Sequence, residues 1–282
     1  MESDISNNKR GGRKVVRIAL ILAVSCLALG LYVYGSRRSR ISTEYVLESR
    51  FNHETMRFSV YLPPGYSTSG RRYPVLYLFH GFSDNHAGWL RHGNLRQIAD
   101  RAITTDTIEP MIVVMPHTPG GFYGNRSDGS YRYEDYFFEE LIPHVEKTFH
   151  VASDKKHRAV AGISMGGQGA FLYAAKRPDC FSSCYSVGGA FHFRQPKDEL
   201  PRGENDLDLL LERIAERDVE VRYCIDCGSD DGLIRINEEM HEKMTALGIP
   251  HEFRTRPGGH TWIYWREALP LVLTFVDASF RE

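Results

Sequence analysis

The sequence predicts an α/β domain: a mostly parallel central sheet flanked by helices. Two observations carry this. Short unbroken apolar runs recur along the chain, as strands buried on both faces require. Stretches with helical periodicity stand between several of them. The length of 282 residues and the hydrophobic content of 42% suit one large domain.

The elements follow in order. Thr43 to Ser49 and Thr55 to Leu62 alternate apolar and polar residues and read as two early strands, closed by Pro63-Pro64-Gly65. Val75 to Phe79, Met111 to Met115, Ala159 to Ala161, Ser183 to Val187 and Val219 to Cys227 read as buried parallel strands, and His251 to Arg256 as a last short one. Glu134 to Phe149 has helical periodicity, with Phe137, Phe138, Leu141, Ile142, Val145 and Phe149 on one face. Gly166 to Lys176, Ile236 to Leu247 and Tyr264 to Phe280 are the other helices expected. Phe191 to Ala215 is polar and holds Pro196 and Pro201, which fits an inserted loop and short helix near the site.

The charge is uneven. Residues 1–40 hold eight Lys and Arg against Glu2 and Asp4, a balance of +6, so a chain of net charge −1 leaves −7 for the rest. A domain of that sign offers no support for nucleic-acid binding. Ile18 to Tyr34 is a run of 17 residues without a charge. With Val15, Val16 and Arg17 it makes a helix of about 30 Å, enough to cross a bilayer core. Five basic residues precede the run (Lys9, Arg10, Arg13, Lys14, Arg17) and three follow it (Arg37, Arg38, Arg40), which places the N-terminus inside. The expected organisation is a basic cytoplasmic tail over 1–14, a signal-anchor helix over 15–35, a linker over 36–44 and an extracytoplasmic domain over 45–282. The competing reading is a signal peptide cleaved near Ala28-Leu29-Gly30, giving a secreted or periplasmic protein.

Five cysteines are present, four of them in the domain. Cys224 and Cys227 have C-x-x-C spacing but stand in a strand pattern rather than at a helix start, and no second ligand pair stands at zinc spacing. They read as small buried hydrophobes. A disulfide such as Cys184 with Cys224 is open for an exported chain.

The chemistry concentrates at Gly162-Ile-Ser-Met-Gly166. A G-x-S-x-G run between a strand and a helix is a nucleophile elbow. Its glycines allow a turn too tight for a side chain, and Ser164 stands at its tip, at a helix N-terminus that favours a developing oxyanion. Other candidates follow from what lies beyond each strand's carboxyl end, where open α/β sheets bind ligands. His80-Gly81-Phe82 follows one strand; the backbone N–H groups of Phe82 and Met165 are the expected oxyanion donors. Gly228-Ser-Asp-Asp231 follows another and offers two acids, Asp230 and Asp231. The G-x-x-D spacing favours Asp231. His260, after Gly258-Gly259, follows the last strand. A serine hydroxyl needs a base, an imidazole supplies it, and a carboxylate fixes the imidazole tautomer. Tyr123, His117 and Trp262 are candidates for lining the pocket. The mechanism calls for no metal or organic cofactor.

His80-Gly, Gly-Ile-Ser-Met-Gly-Gly, Cys-Gly-Ser-Asp-Asp-Gly-Leu and Pro-Gly-Gly-His-Thr-Trp together resemble an esterase family of the α/β-hydrolase superfamily. It takes in esterase D-like S-formylglutathione hydrolases, tributyrin esterases, feruloyl and acetylxylan esterases, and mycolyltransferases. Glu139-Glu-Leu-Ile-Pro143 resembles a helix of that family. The resemblance covers roughly residues 45–280. It implies an α/β-hydrolase fold, supports Asp231 over Asp230, and implies a serine carboxylesterase with a Ser164–Asp231–His260 triad acting on a small-molecule or carbohydrate ester. An acyltransferase would use the same triad with another acceptor. A catalytically silent binding domain is the reading from a different class, and the complete set of site residues argues against it.

Overall fold

The computed structural model describes residues 38–119, 122–191, 205–217 and 220–281, together with Ser25. Eight strands form one sheet: β1 Arg40–Ser49, β2 Glu54–Leu62, β3 Val75–Phe79, β4 Ile112–Pro116, β5 Arg158–Ile163, β6 Ser183–Val187, β7 Arg222–Gly228 and β8 His251–Arg256. Their spatial order is β1-β2-β4-β3-β5-β6-β7-β8. From β4 to β8 every neighbouring pair is parallel, while β1 and β2 join antiparallel at one edge. Successive side chains of a strand face opposite sides, so both faces need cover. Val75, Tyr77 and Phe79 enter one core; Leu76 and Leu78 enter the other.

Six helices supply most of the cover: α1 Leu95–Thr104, α2 Ile142–Thr148, α3 Met165–Lys176, α4 Leu207–Ala215, α5 Ile234–Ala246 and α6 Trp262–Arg281. Helices α2 to α5 bury side chains in the Tyr77 and Phe79 core, and α1 and α6 in the Leu76 and Leu78 core. Phe137, fully buried, has its ring centroid 5.1 Å from that of Tyr77 and 4.7 Å from that of Tyr173. Truncating a buried Phe of this kind to Ala costs about 3–5 kcal/mol.

The single helix expected over Glu134 to Phe149 divides into a turn Tyr133–Tyr136, a π-helical turn Phe137–Leu141, and α2. Pro143 lies in the first turn of α2. It has no N–H for the carbonyl four residues earlier, and the wider turn takes up that loss. Helix α1 is an element beyond those expected, and its periodicity is clear: Leu95, Ala99 and Ile103 are buried. The strand β1 begins at Arg40, inside the stretch expected to be linker, because Arg40 and Ile41 pair with Leu62 and Tyr61. Ser39 is already buried and donates to Asp100 Oδ2 at 2.7 Å.

The expected tail and membrane segment, 1–14 and 15–35, lie outside the described residues apart from Ser25. Among the described residues no helix is long and apolar enough to cross a membrane.

The possible Cys184–Cys224 bridge is ruled out by register. Cys184 pairs with Tyr223, and Tyr185 pairs with Cys224. The two thiols therefore face opposite cores. Cys224 and Cys227, three apart in one strand, cannot face each other either. Burial pushes the Cys224 thiol up to about 12, so it stays protonated at neutral pH.

Candidate active site

The chain reverses its winding at β3, which lies between β4 and β5. A crevice beyond the carboxyl ends of the strands opens at such a point, and Ser164 stands there, between the end of β5 and the start of α3. Its backbone adopts φ 53° and ψ −119°. A non-glycine residue held there stores strain of order 1–3 kcal/mol. The turn is held by the Ser164 N–H donating to the Val187 carbonyl at 2.9 Å and by the Ala190 N–H donating to the Ser164 carbonyl at 3.1 Å. Both flanking glycines are sterically required. A Cβ on Gly162 would stand 2.4 Å from the Gly166 carbonyl, and one on Gly166 would stand 2.5 Å from the His80 carbonyl oxygen.

Three candidates from distant parts of the chain meet in one line of hydrogen bonds. His260 Nε2 lies 2.8 Å from Ser164 Oγ, and His260 Nδ1 lies 2.8 Å from Asp231 Oδ2. A buried carboxylate only accepts, so Nδ1 carries the proton and Nε2 is free to receive one from the hydroxyl. Asp231 is 2% exposed, and its Oδ1 accepts the Leu233 N–H at 2.8 Å. Asp230 is exposed and does different work. Its N–H donates to the Gly258 carbonyl at 3.0 Å, and its Oδ2 accepts the Gly258 N–H at 3.2 Å. One aspartate faces the imidazole; the other clasps the loop that carries it.

Two supports of the site, Asn237 and Asp226, are not among the residues expected from the sequence. Asn237, fully buried on α5, accepts the Gly189 N–H on Oδ1 at 3.0 Å and donates from Nδ2 to the Gly189 carbonyl at 2.9 Å. That fixes the loop after β6. In this loop Gly188 has φ 54°, and a Cβ there would stand 3.0 Å from Asp231 Oδ2. An Asn amid the polar residues of α5 looks like any surface residue in a sequence. Asp226 is fully buried in β7 and accepts from Tyr185 Oη at 2.8 Å, from Arg256 at 3.1 Å and from the Tyr264 hydroxyl. Arg256 and Tyr264 flank the loop of His260, so Asp226 ties both of its ends. A lone acid inside an apolar strand pattern was the available signal.

Beside Ser164 lies an open cavity of ≈ 620 Å³, whose walls include Phe82, Asp84, Arg91, His92, Trp262 and Trp265. Trp262, one of the residues expected to line the pocket, is on this wall. It packs edge-on against Trp89 at 5.3 Å. Trp265 lies edge-on to the His260 ring at 4.9 Å. Phe82 is 69% exposed.

The other two pocket candidates, Tyr123 and His117, are not walls of this cavity. Tyr123 is 2% exposed; it stacks on Phe79 at 4.3 Å, and its hydroxyl donates to the His80 carbonyl at 3.0 Å. It is core beneath the elbow. His117 lies behind His80, its Nδ1 3.3 Å from His80 Nε2, and is not among the cavity walls. Desolvation, aided by the neighbouring His80, His86 and Arg57, lowers its pKa to about 4. Among the described residues no group of three or more His, Cys, Asp or Glu is arranged to hold a metal ion.

The oxyanion candidates flank the serine. Met165 opens α3, so its N–H has no carbonyl one turn earlier in the helix to bond. Gly81, which precedes Phe82, approaches the serine closely: a Cβ built on it would stand 3.4 Å from Ser164 Cβ.

Comparison with known proteins agrees with this architecture. The model of a family described as "Putative esterase" matches residues 49–275. An endo-1,4-beta-xylanase/feruloyl esterase of Xylanibacter ruminicola is 32% identical over 221 residues, 75% of this chain and 28% of that protein. An esterase of Mycobacterium tuberculosis is 31% identical over 243 residues, 72% of this chain and 52% of its own length. The chain thus spans about a quarter to a half of these relatives. A solved ferulic acid esterase superposes with a TM-score of 0.78 at 31% identity, covering 86% of this chain and 99% of that one.

Proposed function

The chain belongs to this esterase family, and from that premise we propose that it is a serine hydrolase of carboxylic esters working through an acyl-enzyme. One observation carries the proposal: the unbroken line from Ser164 Oγ through His260 to the Asp231 carboxylate. His260 Nε2 takes the hydroxyl proton as Ser164 attacks the ester carbonyl. The backbone N–H groups of Phe82 and Met165 receive the oxyanion. His260 then returns the proton to the leaving alcohol, and water releases the acid by the same steps in reverse. Asp231 holds the imidazole in the tautomer with Nδ1 protonated and stabilises the imidazolium. A catalytically silent domain has no need to hold a strained serine in line with a base.

The cavity supports an aromatic acyl group. Trp262 and the exposed Phe82 offer flat apolar surface beside the nucleophile. Two relatives have feruloyl or ferulic acid esterase in their names. We read the substrate as an aromatic acyl ester of a sugar or small alcohol. The test is hydrolysis of methyl ferulate, p-nitrophenyl acetate and p-nitrophenyl butyrate by the wild type and Ser164→Ala. Loss of all activity in Ser164→Ala with preference for methyl ferulate is the expected result. Equal rates on all three esters would remove the aromatic preference, and activity surviving in Ser164→Ala would remove the mechanism.

The location proposed is a membrane anchor with the domain outside, on the strength of the apolar run and its flanking charge alone. Protease added to intact cells should degrade the domain and spare a cytoplasmic marker. A mature chain beginning near Leu31 that washes off without detergent would show a cleaved signal instead.

A further inference from the structure

His80 touches neither the nucleophile nor the cavity, yet its hydrogen bonds define how it is protonated. It follows β3 and is 2% exposed. The Thr118 N–H reaches its Nε2 at 3.2 Å. A backbone amide can only donate, so Nε2 is the unprotonated nitrogen. Nδ1 therefore carries the proton, and it faces the Gly81 carbonyl oxygen at 2.7 Å. The imidazole is a neutral donor to its own next residue. Burial favours the same state, pushing its pKa down. The backbone of His80 is held as well: Tyr123 donates to the His80 carbonyl at 3.0 Å, and that carbonyl lies against Gly166.

The Gly81 carbonyl and the Phe82 N–H belong to one peptide unit. No cis peptide occurs among the described residues, and in a trans unit the C=O and N–H point in opposite directions. Holding the carbonyl back towards the buried imidazole turns the N–H away from that ring, and Gly81, Phe82 and Ser164 are all walls of the open cavity. With the imidazole bond absent the Gly81 carbonyl keeps only the longer bond from the Asp84 N–H, at 3.4 Å, and Gly81, lacking Cβ, resists rotation of the unit least. We propose that His80 is a positioning residue for the oxyanion hole: its Nδ1–H holds the Gly81 carbonyl so that the Phe82 N–H is aimed at the developing oxyanion. The proposal rests on the reading of Ser164 as nucleophile. An oxyanion donor acts only in the transition state, so misaiming it lowers kcat and leaves KM little changed.

The test compares His80→Asn with His80→Gln. An Asn amide nitrogen stands near the position of Nδ1 and keeps the donor to Gly81. A Gln reaches the position of Nε2, keeps the acceptor for Thr118 and loses the donor to Gly81. Thermal melting confirms that both fold. His80→Asn should retain kcat within about fivefold, while His80→Gln should lose up to ~10²-fold, the scale of one oxyanion donor. An aryl trifluoromethyl ketone, which adds to serine and places an oxyanion in the hole, should lose affinity for His80→Gln by the same factor. The corresponding alcohol forms no oxyanion and should bind both alike. Equal losses in Asn and Gln, or a fall in kcat with unchanged affinity for the ketone, overturns the proposal. Ser164→Ala in the same assay keeps the two claims apart. If it abolishes turnover while the His80 variants behave alike, only the role of His80 fails. If it retains turnover, the nucleophile assignment fails and this proposal falls with it.

Discussion

Asn237 reads both backbone groups of a single residue, accepting from the Gly189 N–H and donating to the Gly189 carbonyl. Gly189 follows Gly188, whose backbone lies against the Asp231 carboxylate. Asn237→Leu leaves two buried backbone groups unpaired, each costing about 1–3 kcal/mol. The expected outcome is a lower melting temperature together with a fall in kcat of tenfold or more, because the loop relaxes beneath the acid. Asn237→Asp keeps the acceptor and loses the donor, and should fall between. A stability loss with full specific activity of the folded fraction would show that the loop does not set the acid.

The division of labour between the paired aspartates is a second expectation. Asp231→Asn replaces the acceptor that fixes the His260 tautomer, and in a triad of this kind such a change costs ~10⁴-fold in kcat. Asp230→Asn retains an oxygen able to accept the Gly258 N–H, so its loss should stay under about tenfold. Steady-state rates on one ester check both, and the reverse order would make Asp230 the acid.

The elbow glycines give a stability expectation. An added Cβ at Gly162 or Gly166 meets backbone atoms at 2.4 or 2.5 Å, and backbone cannot rotate away as a flexible side chain can. Gly162→Ala and Gly166→Ala should each cost at least ~1–3 kcal/mol, the usual scale of overpacking. Gly232→Ala is the control, since a Cβ there meets nothing within 4 Å. Urea denaturation of the three variants decides it.

That contrast shows what the sequence could carry. The elbow, the strand-end acid and His260 were legible because each follows a strand with glycine beside it, and local chain geometry is written locally. The parallel strands were legible because burial on both faces leaves few polar positions. Asn237 and the bonds of His80 were not, since their partners are backbone groups remote in the chain or unmarked by any side chain. Tyr123 was misplaced for a related reason. A tyrosine in a loop after β4 carries no mark of whether the loop folds over the cavity or under α3. The π-helical turn is hidden in the sequence because the apolar periodicity runs unbroken past Pro143.

The buried histidines predict how stability varies with pH. Burial lowers the pKa of His80, and desolvation lowers that of His117 to about 4, while an unfolded chain titrates near the ordinary 6.5. Between those values the unfolded state binds protons that the folded state refuses, so folding stability falls as pH falls. The contribution of His117 is fully present above about pH 6.5 and is lost progressively as pH drops towards 4. Melting temperature should therefore decline from pH 7 to pH 5, and the decline should be shallower in His117→Gln, which does not titrate. His117 is half-buried and outside the cavity, so the variant should still hydrolyse ester. An identical pH slope in wild type and variant would mean that other groups, the carboxylates above all, account for the acid sensitivity.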